Sequence, residues 1–123
     1  PTLSATGVDS NVNLNLIGKG SGSVQIAKLA YSSVEITANG TASATASYII
    51  CNKGTALAVG LDSGSTIGEF KLFTNKGAGT ATVTPTAFAQ GTNFALPQYS
   101  AAQTIWDGTN WYIYANYAGT LNP

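Results

Sequence analysis

The sequence predicts an all-β fold, and three observations carry that prediction. Apolar and polar residues alternate with a period of two along several short segments, as they do in strands with one buried face. Clusters of Gly, Asn, Asp and Ser separate these segments, which is typical of turns. No segment repeats apolar residues at helical spacing. About nine or ten short strands result, and that number indicates an antiparallel β-sandwich or a barrel-like head.

The first predicted element is an N-terminal β-hairpin. "VNLNLI" and "SVQIA" each alternate apolar and polar residues, and "GKGSGS" between them supplies glycines for a turn. The glycines lack the spacing of a P-loop or of a G-x-G-x-x-G motif, so this segment is interpreted as a turn and not as a phosphate site. From their alternation, four apolar residues are expected to face either an interface between chains or the adjoining core: Leu14, Leu16, Val24 and Ile26.

The residues after this hairpin also alternate in short predicted strands, which together indicate the β head. "SSVEITA" places Val34 and Ile36 on one face, and "NGT" marks the turn that follows. The apolar end of "ASATASYIIC" indicates a central strand, in which Cys51 is expected to be a buried thiol. "NKG" then turns the chain into "TALAVGL", with Leu57 and Val59 directed inward.

The second half of the head continues the same pattern. "GEFKLFTN" alternates Phe70 and Leu72 against Lys71 and Phe73, and "KGAG" follows as a turn. "TATVTPT" carries the apolar Val83, and its proline closes the strand or marks a sheet edge. "TNFALP" then gives two further apolar residues at period two, Phe94 and Leu96.

The last element is a hairpin rich in aromatic residues. "AAQTIW" and "NWYIYANY" flank the loop Asp107-Gly108-Thr109-Asn110, whose length and glycine are typical of a β-hairpin. Two interpretations are open. One face fills the core while the other packs against a neighbouring chain or turn, or the rings form a platform that stacks on sugars. The candidate glycan-contacting residues are Trp106, Trp111, Tyr112 and Tyr114.

Composition excludes several classes of function. Only 8% of the residues are charged, the net charge is zero and Arg is absent, which argues against nucleic-acid binding. Without His the chain lacks Ser-His and Cys-His pairs and the common zinc ligands, and its five carboxylates are scattered. No catalytic residue, metal, cofactor or membrane-spanning segment is therefore predicted. So low a charge favours a chain that buries much of its surface in an oligomer.

Two long stretches resemble bacteriophage proteins. "DSNVNLNLIGKGSGSVQI" is similar to a segment of tail fibre and other virion appendage proteins, in which a D-x-N-V-x-L-x-L strand leads to P-K-G-T-G and a Val-rich strand. This chain has Ile17-Gly18 where Pro is frequent in that family. "GEFKLFTNKGAGTATVTPTAF" and "TIWDGTNWYIYAN" resemble phage structural domains, in which a T-V-T-P strand precedes a D-G-T-N-W hairpin.

The resemblance implies an intertwined homotrimeric virion protein without catalysis: a fibre, a knob or a capsid decoration. It also implies an N-terminal β-hairpin arm or shaft-like segment, residues 1–31, and a C-terminal β-sandwich head, residues 32–123. It implies contacts with other virion proteins and with host surface glycans. A trimer also allows strand edges to pair between chains. A carbohydrate-binding module and a capsid decoration protein are the alternatives to a fibre domain, and nucleic acid and membrane insertion are not expected.

Overall fold

A computed structural model describes all 123 residues, which form two compact units, Pro1–Ala30 and Tyr31–Pro123. The first unit, the arm, contains no helix or strand. Its glycine-rich turn is present, with Gly20 at φ 61° and the Gly22 N–H donating to the Lys19 carbonyl at 2.9 Å. The predicted β-hairpin is wrong for the single chain, since no ladder follows this turn. An isolated two-stranded hairpin has no second layer on which to bury its apolar face.

The second unit, the head, is all-β, as predicted. It contains ten strands and no helix, and the strands form two five-stranded sheets that pack as a sandwich. In chain order the strands are β1 (Ser33–Ile36), β2 (Gly40–Thr41), β3 (Tyr48–Cys51), β4 (Leu57–Leu61), β5 (Phe70–Asn75), β6 (Ala81–Pro85), β7 (Asn93–Leu96), β8 (Ala101–Trp106), β9 (Trp111–Tyr117) and β10 (Thr120–Asn122). The first sheet has the order β1-β3-β5-β8-β9, and the second has the order β10-β7-β6-β4-β2.

The sheets are mixed, so the predicted antiparallel arrangement is wrong for the first six strands. These strands alternate between the two sheets: β1, β3 and β5 run parallel in one sheet, and β2, β4 and β6 run parallel in the other. Each connection carries the chain across to the opposite layer instead of back along the strand it has just left. The chain therefore returns to each sheet in the same direction. It forms a coil of three rungs, in which each rung has one strand in each sheet: β1 and β2, β3 and β4, and β5 and β6.

The last four strands close one end of this coil. β8 pairs antiparallel with β5, and β7 pairs antiparallel with β6. β9 and β10 then add antiparallel to β8 and β7. Because this closure covers only the C-terminal end of the coil, β1 and β2 remain as the end strands on the other side.

Stacked turns hold successive rungs together. The Lys76 N–H donates to the Cys51 carbonyl at 2.9 Å, and the Gly79 N–H donates to the Lys53 carbonyl at 3.0 Å. A Cβ atom at Gly79 would lie 1.8 Å from the Thr55 carbonyl oxygen. Glycine at this position therefore allows the turn of residues 76–79 to lie directly on the turn of residues 52–55.

Asn75 fixes the same corner from inside. Its buried side-chain amide nitrogen donates to the carbonyls of Gly79 at 2.8 Å and Leu96 at 2.7 Å, and its oxygen accepts from the Gly77 N–H at 2.9 Å. One side chain thus satisfies three backbone groups and joins the turn after β5 to the end of β7.

The core lies between the two sheets. Cys51, Leu57, Val59, Val83, Phe94 and Leu96 are buried, which confirms the buried thiol and the inward direction predicted for Leu57 and Val59. On β5 the buried face is the one with Lys71 and Phe73, and the Phe73 and Phe94 rings meet edge to face at 5.8 Å. Burial lowers the pKa of Lys71, against an opposing effect of Glu69, and the Lys71 ammonium donates to the Ala46 carbonyl at 2.6 Å.

Candidate functional site

The hairpin of β8 and β9 positions the aromatic residues, and its loop is the predicted one, residues 107–110. The Asp107 carboxylate accepts from the N–H groups of Asn110 at 2.7 Å and Thr109 at 2.8 Å, and Gly108 has φ 101°. These two backbone donors, Asn110 first, hold the pKa of Asp107 below its ordinary value. The loop geometry sets Trp106 directly opposite Trp111.

The two tryptophans belong to the core. Trp111 is fully buried and Trp106 is 6% exposed, with ring centroids 5.4 Å apart. The Trp111 indole N–H donates to the Asp62 carbonyl at 2.8 Å, and Gly64 packs against the Trp106 ring. Neither ring presents a face to solvent in this chain, so Trp106 and Trp111 are corrected from glycan-contacting candidates to core residues.

The tyrosines of β9 do reach the surface. Tyr112 lies opposite Ile105, and both side chains are partly exposed. Tyr114 is the extra residue of a β-bulge and is 53% exposed. Tyr117, at the end of the strand, is 71% exposed. Tyr112 and Tyr114 thus remain candidate glycan-contacting residues, and they share β9 with a third exposed ring, that of Tyr117.

A shallow cavity of about 270 Å³ lies beside Tyr117 on the first sheet. It is lined by Leu72, Ala101, Ala102, Gln103, Ala115, Asn116 and Tyr117. The Asn116 side-chain amide is held by the backbone of Gly119: its nitrogen donates to the Gly119 carbonyl, and its oxygen accepts from the Gly119 N–H. The lining holds no charged group, one aromatic ring and two amides. Sequence reasoning missed this cavity, because its lining joins the β8–β9 hairpin to Leu72 of β5, which lies about thirty residues earlier in the chain.

The four predicted interface residues lie in the arm and are all exposed. Their exposed fractions run from 46% for Val24 to 59% for Leu16, with Leu14 and Ile26 between them. Further apolar residues of the arm are also exposed: Leu3, Val8, Val12, Ile17 and Leu29. In the single chain the alternating apolar side chains of the arm are therefore not buried.

The two edges of the first sheet differ. At β9 the Trp111 N–H donates to the Ala87 carbonyl at 2.9 Å, and the Ile113 N–H donates to the Gln90 side chain at 2.6 Å. The 87–90 segment thus covers the first half of that edge. At the opposite edge, β1 pairs only with β3, and Ser33 to Glu35 are exposed.

No group of three or more acidic, Cys or His side chains in the chain could hold a metal ion, and no helix is long and apolar enough to cross a bilayer. No protein-family model matches the chain, and no curated protein matches its sequence.

Proposed function

We propose that this chain is a non-enzymatic structural protein of a bacteriophage virion, acting as a homotrimeric fibre or appendage domain at the particle surface. The observation that carries the proposal is the arm, whose alternating apolar side chains are exposed in the single chain. Extended apolar surface of this kind marks an interface with another protein. The arm would bind copies of itself or of its head, and other virion proteins would hold the assembly in place.

Two further observations support this proposal. The charged fraction of 8% leaves few groups to keep a monomer soluble with such an arm exposed. The arm sequence and the T-V-T-P and D-G-T-N-W segments also resemble phage structural proteins. A fibre domain and a capsid decoration protein both fit these observations.

The arm is tested with a matched pair of substitutions. Leu16→Asp puts a charge on the apolar face, whereas Gln25→Asp puts the same charge on a polar position of the second alternating segment, between Val24 and Ile26. We expect Leu16→Asp to lower the native mass measured by light scattering, because the interface would bury its charge, and Gln25→Asp to keep the oligomer. An oligomer equally stable in both variants would contradict the role of the apolar face.

Glycan binding is the second candidate function, and the exposed tyrosines favour it. Tyr117 lines the uncharged cavity, and Tyr112 and Tyr114 lie on the same strand. Aromatic rings with polar tips suit ligands that are partly apolar and partly hydrated, and the apolar faces of sugar rings stack on them. The two functions are compatible, because an appendage at the particle surface can contact host polysaccharide.

A titration with neutral host polysaccharides tests this second function. Tyr117→Ala removes the ring at the cavity, whereas Tyr99→Ala removes an equally exposed ring that does not line it. We expect Tyr117→Ala to weaken binding about tenfold or more, and Tyr99→Ala to retain it. Equal affinity in the two variants, or no binding by the unmodified chain, would contradict a glycan site at the cavity.

A further inference from the structure

We infer that the open edge of β1 takes the arm segment 12–17 of a second copy as an additional strand. This inference rests on the proposed oligomer and specifies its contact. It follows from two unpartnered features of one chain: a sheet edge with free backbone groups, and a strand-like segment with no partner of its own.

The free backbone groups of β1 follow from its ladder with β3. The Tyr48 N–H donates to the Ser32 carbonyl at 3.0 Å, and the Asn52 N–H donates to the Ile36 carbonyl at 2.9 Å. In a parallel ladder, alternate residues direct both N–H and C=O to the same neighbour. Val34 therefore shares the orientation of Ser32 and Ile36 toward β3. The backbone groups of Ser33 and Glu35 point to the open edge.

β1 is short and carries the charge of Glu35, but it lacks the other features that protect natural sheet edges against pairing. The strand has no proline, no bulge and no inward-facing charge, which are the usual protections of natural edges. The side chain of Val34 is on the core side, paired with the buried Ile49, yet it is 40% exposed. The coil therefore ends in a rung whose apolar face lacks a cover on one side.

The segment 12–17 has the chemistry that such a cover needs. It carries no charge, and it has no strand partner within its own unit. Placed beside β1, Leu14 and Leu16 would extend the apolar layer of Val34 and Ile36. Asn13 and Asn15 would then lie on the polar side, next to Ser33 and Glu35. The apolar and polar side chains of the segment would lie on these same sides whether the added strand runs parallel or antiparallel to β1.

An arm on a neighbour's edge is a head-to-tail contact, because the two surfaces differ. Such contacts either close into a ring or continue as a filament. A ring of three copies would occupy every arm and every β1 edge. The contact is thus consistent with the proposed homotrimer.

Glu35→Pro tests the contact with Glu35→Ala as its control. Both variants lose the carboxylate that accepts from Asn52 at 2.6 Å and pairs with Lys76 at 3.7 Å. Only the proline also removes the outward N–H and crowds the open edge. It leaves the β1–β3 ladder intact, since proline is tolerated where the N–H faces away from the sheet. The full chain is used in both cases.

We expect Glu35→Pro to raise the concentration at which the oligomer dissociates about tenfold or more relative to Glu35→Ala, with a similar melting temperature of the head. Equal dissociation of the two variants would overturn the β1 contact while leaving the oligomer standing. A monomeric unmodified chain would overturn the contact together with the proposed function. Should Glu35→Pro fail to fold, Ser33→Pro against Ser33→Ala makes the same comparison at the other outward N–H.

Discussion

Cys51 lies fully buried at the end of β3, and burial raises the pKa of its thiol from about 9 to about 11. In the unfolded chain the thiol ionises near pH 9, whereas in the folded chain it keeps its proton to higher pH. Between these values the folded state binds more protons than the unfolded state. The free energy of unfolding therefore falls as the pH rises through this range.

The prediction concerns the Cys51→Ala variant. From pH 8.5 to 11 we expect the free energy of unfolding of the unmodified protein to fall by up to about 2.7 kcal/mol more than that of the variant, since each unit of pKa difference is worth about 1.36 kcal/mol. At pH 8.5 the free energy of unfolding of the variant is expected to be lower by about 1 kcal/mol, because the variant loses packing. Urea unfolding at several pH values measures both curves. Parallel curves for the two proteins would contradict a raised pKa of the Cys51 thiol in the folded chain.

The aromatic residues show which residue-level features the sequence can predict. It predicts a cluster of rings on one hairpin, but the alternation alone does not decide which rings face the core. Trp106 and Trp111 form a cross-strand pair under the loop that carries Asp62 and Gly64, about forty to fifty residues earlier in the chain. A contact so distant in sequence leaves no local signal, so the exposed tyrosines could be separated from the buried tryptophans only in the fold.

The elements that depend on neighbouring residues were predictable, and those that depend on sheet assembly were not. The 107–110 loop and the glycine-rich turn at Lys19 follow from local turn chemistry, and both are present. Parallel pairing of β1, β3 and β5 arises because each turn sends the chain to the other sheet. Strand periodicity is the same in parallel and antiparallel ladders, so the sequence did not distinguish them.

The stacked turns of the coil give a prediction about two glycines. Gly79→Ala places a Cβ against the Thr55 carbonyl, whereas Gly54→Ala meets no atom within 4 Å. We expect Gly79→Ala to lower the free energy of unfolding by about 3 kcal/mol through overpacking. Gly54→Ala should leave it unchanged or raise it by about 0.5 kcal/mol, because alanine restricts the unfolded chain. Chemical denaturation measures both, and similar values for the two variants would contradict the stacked arrangement.

The head has a closed end and an open end. Antiparallel strands β7 to β10 cover the C-terminal side of the coil, while β1 keeps a free edge on the other side. The arm exposes the apolar residues that such an edge could bury. A chain with both features is expected to associate, and the proposed virion trimer joins them in one assembly.

The native mass of the unmodified chain, measured by light scattering on a sizing column, is the direct test of the proposed trimer. A homotrimer has a mass of three times 12.5 kDa, about 37.5 kDa, and we expect this mass to be maintained on dilution. A stable monomer of 12.5 kDa would contradict it. The exposed apolar arm would then need a different partner, and the tyrosine cavity would become the better-supported site.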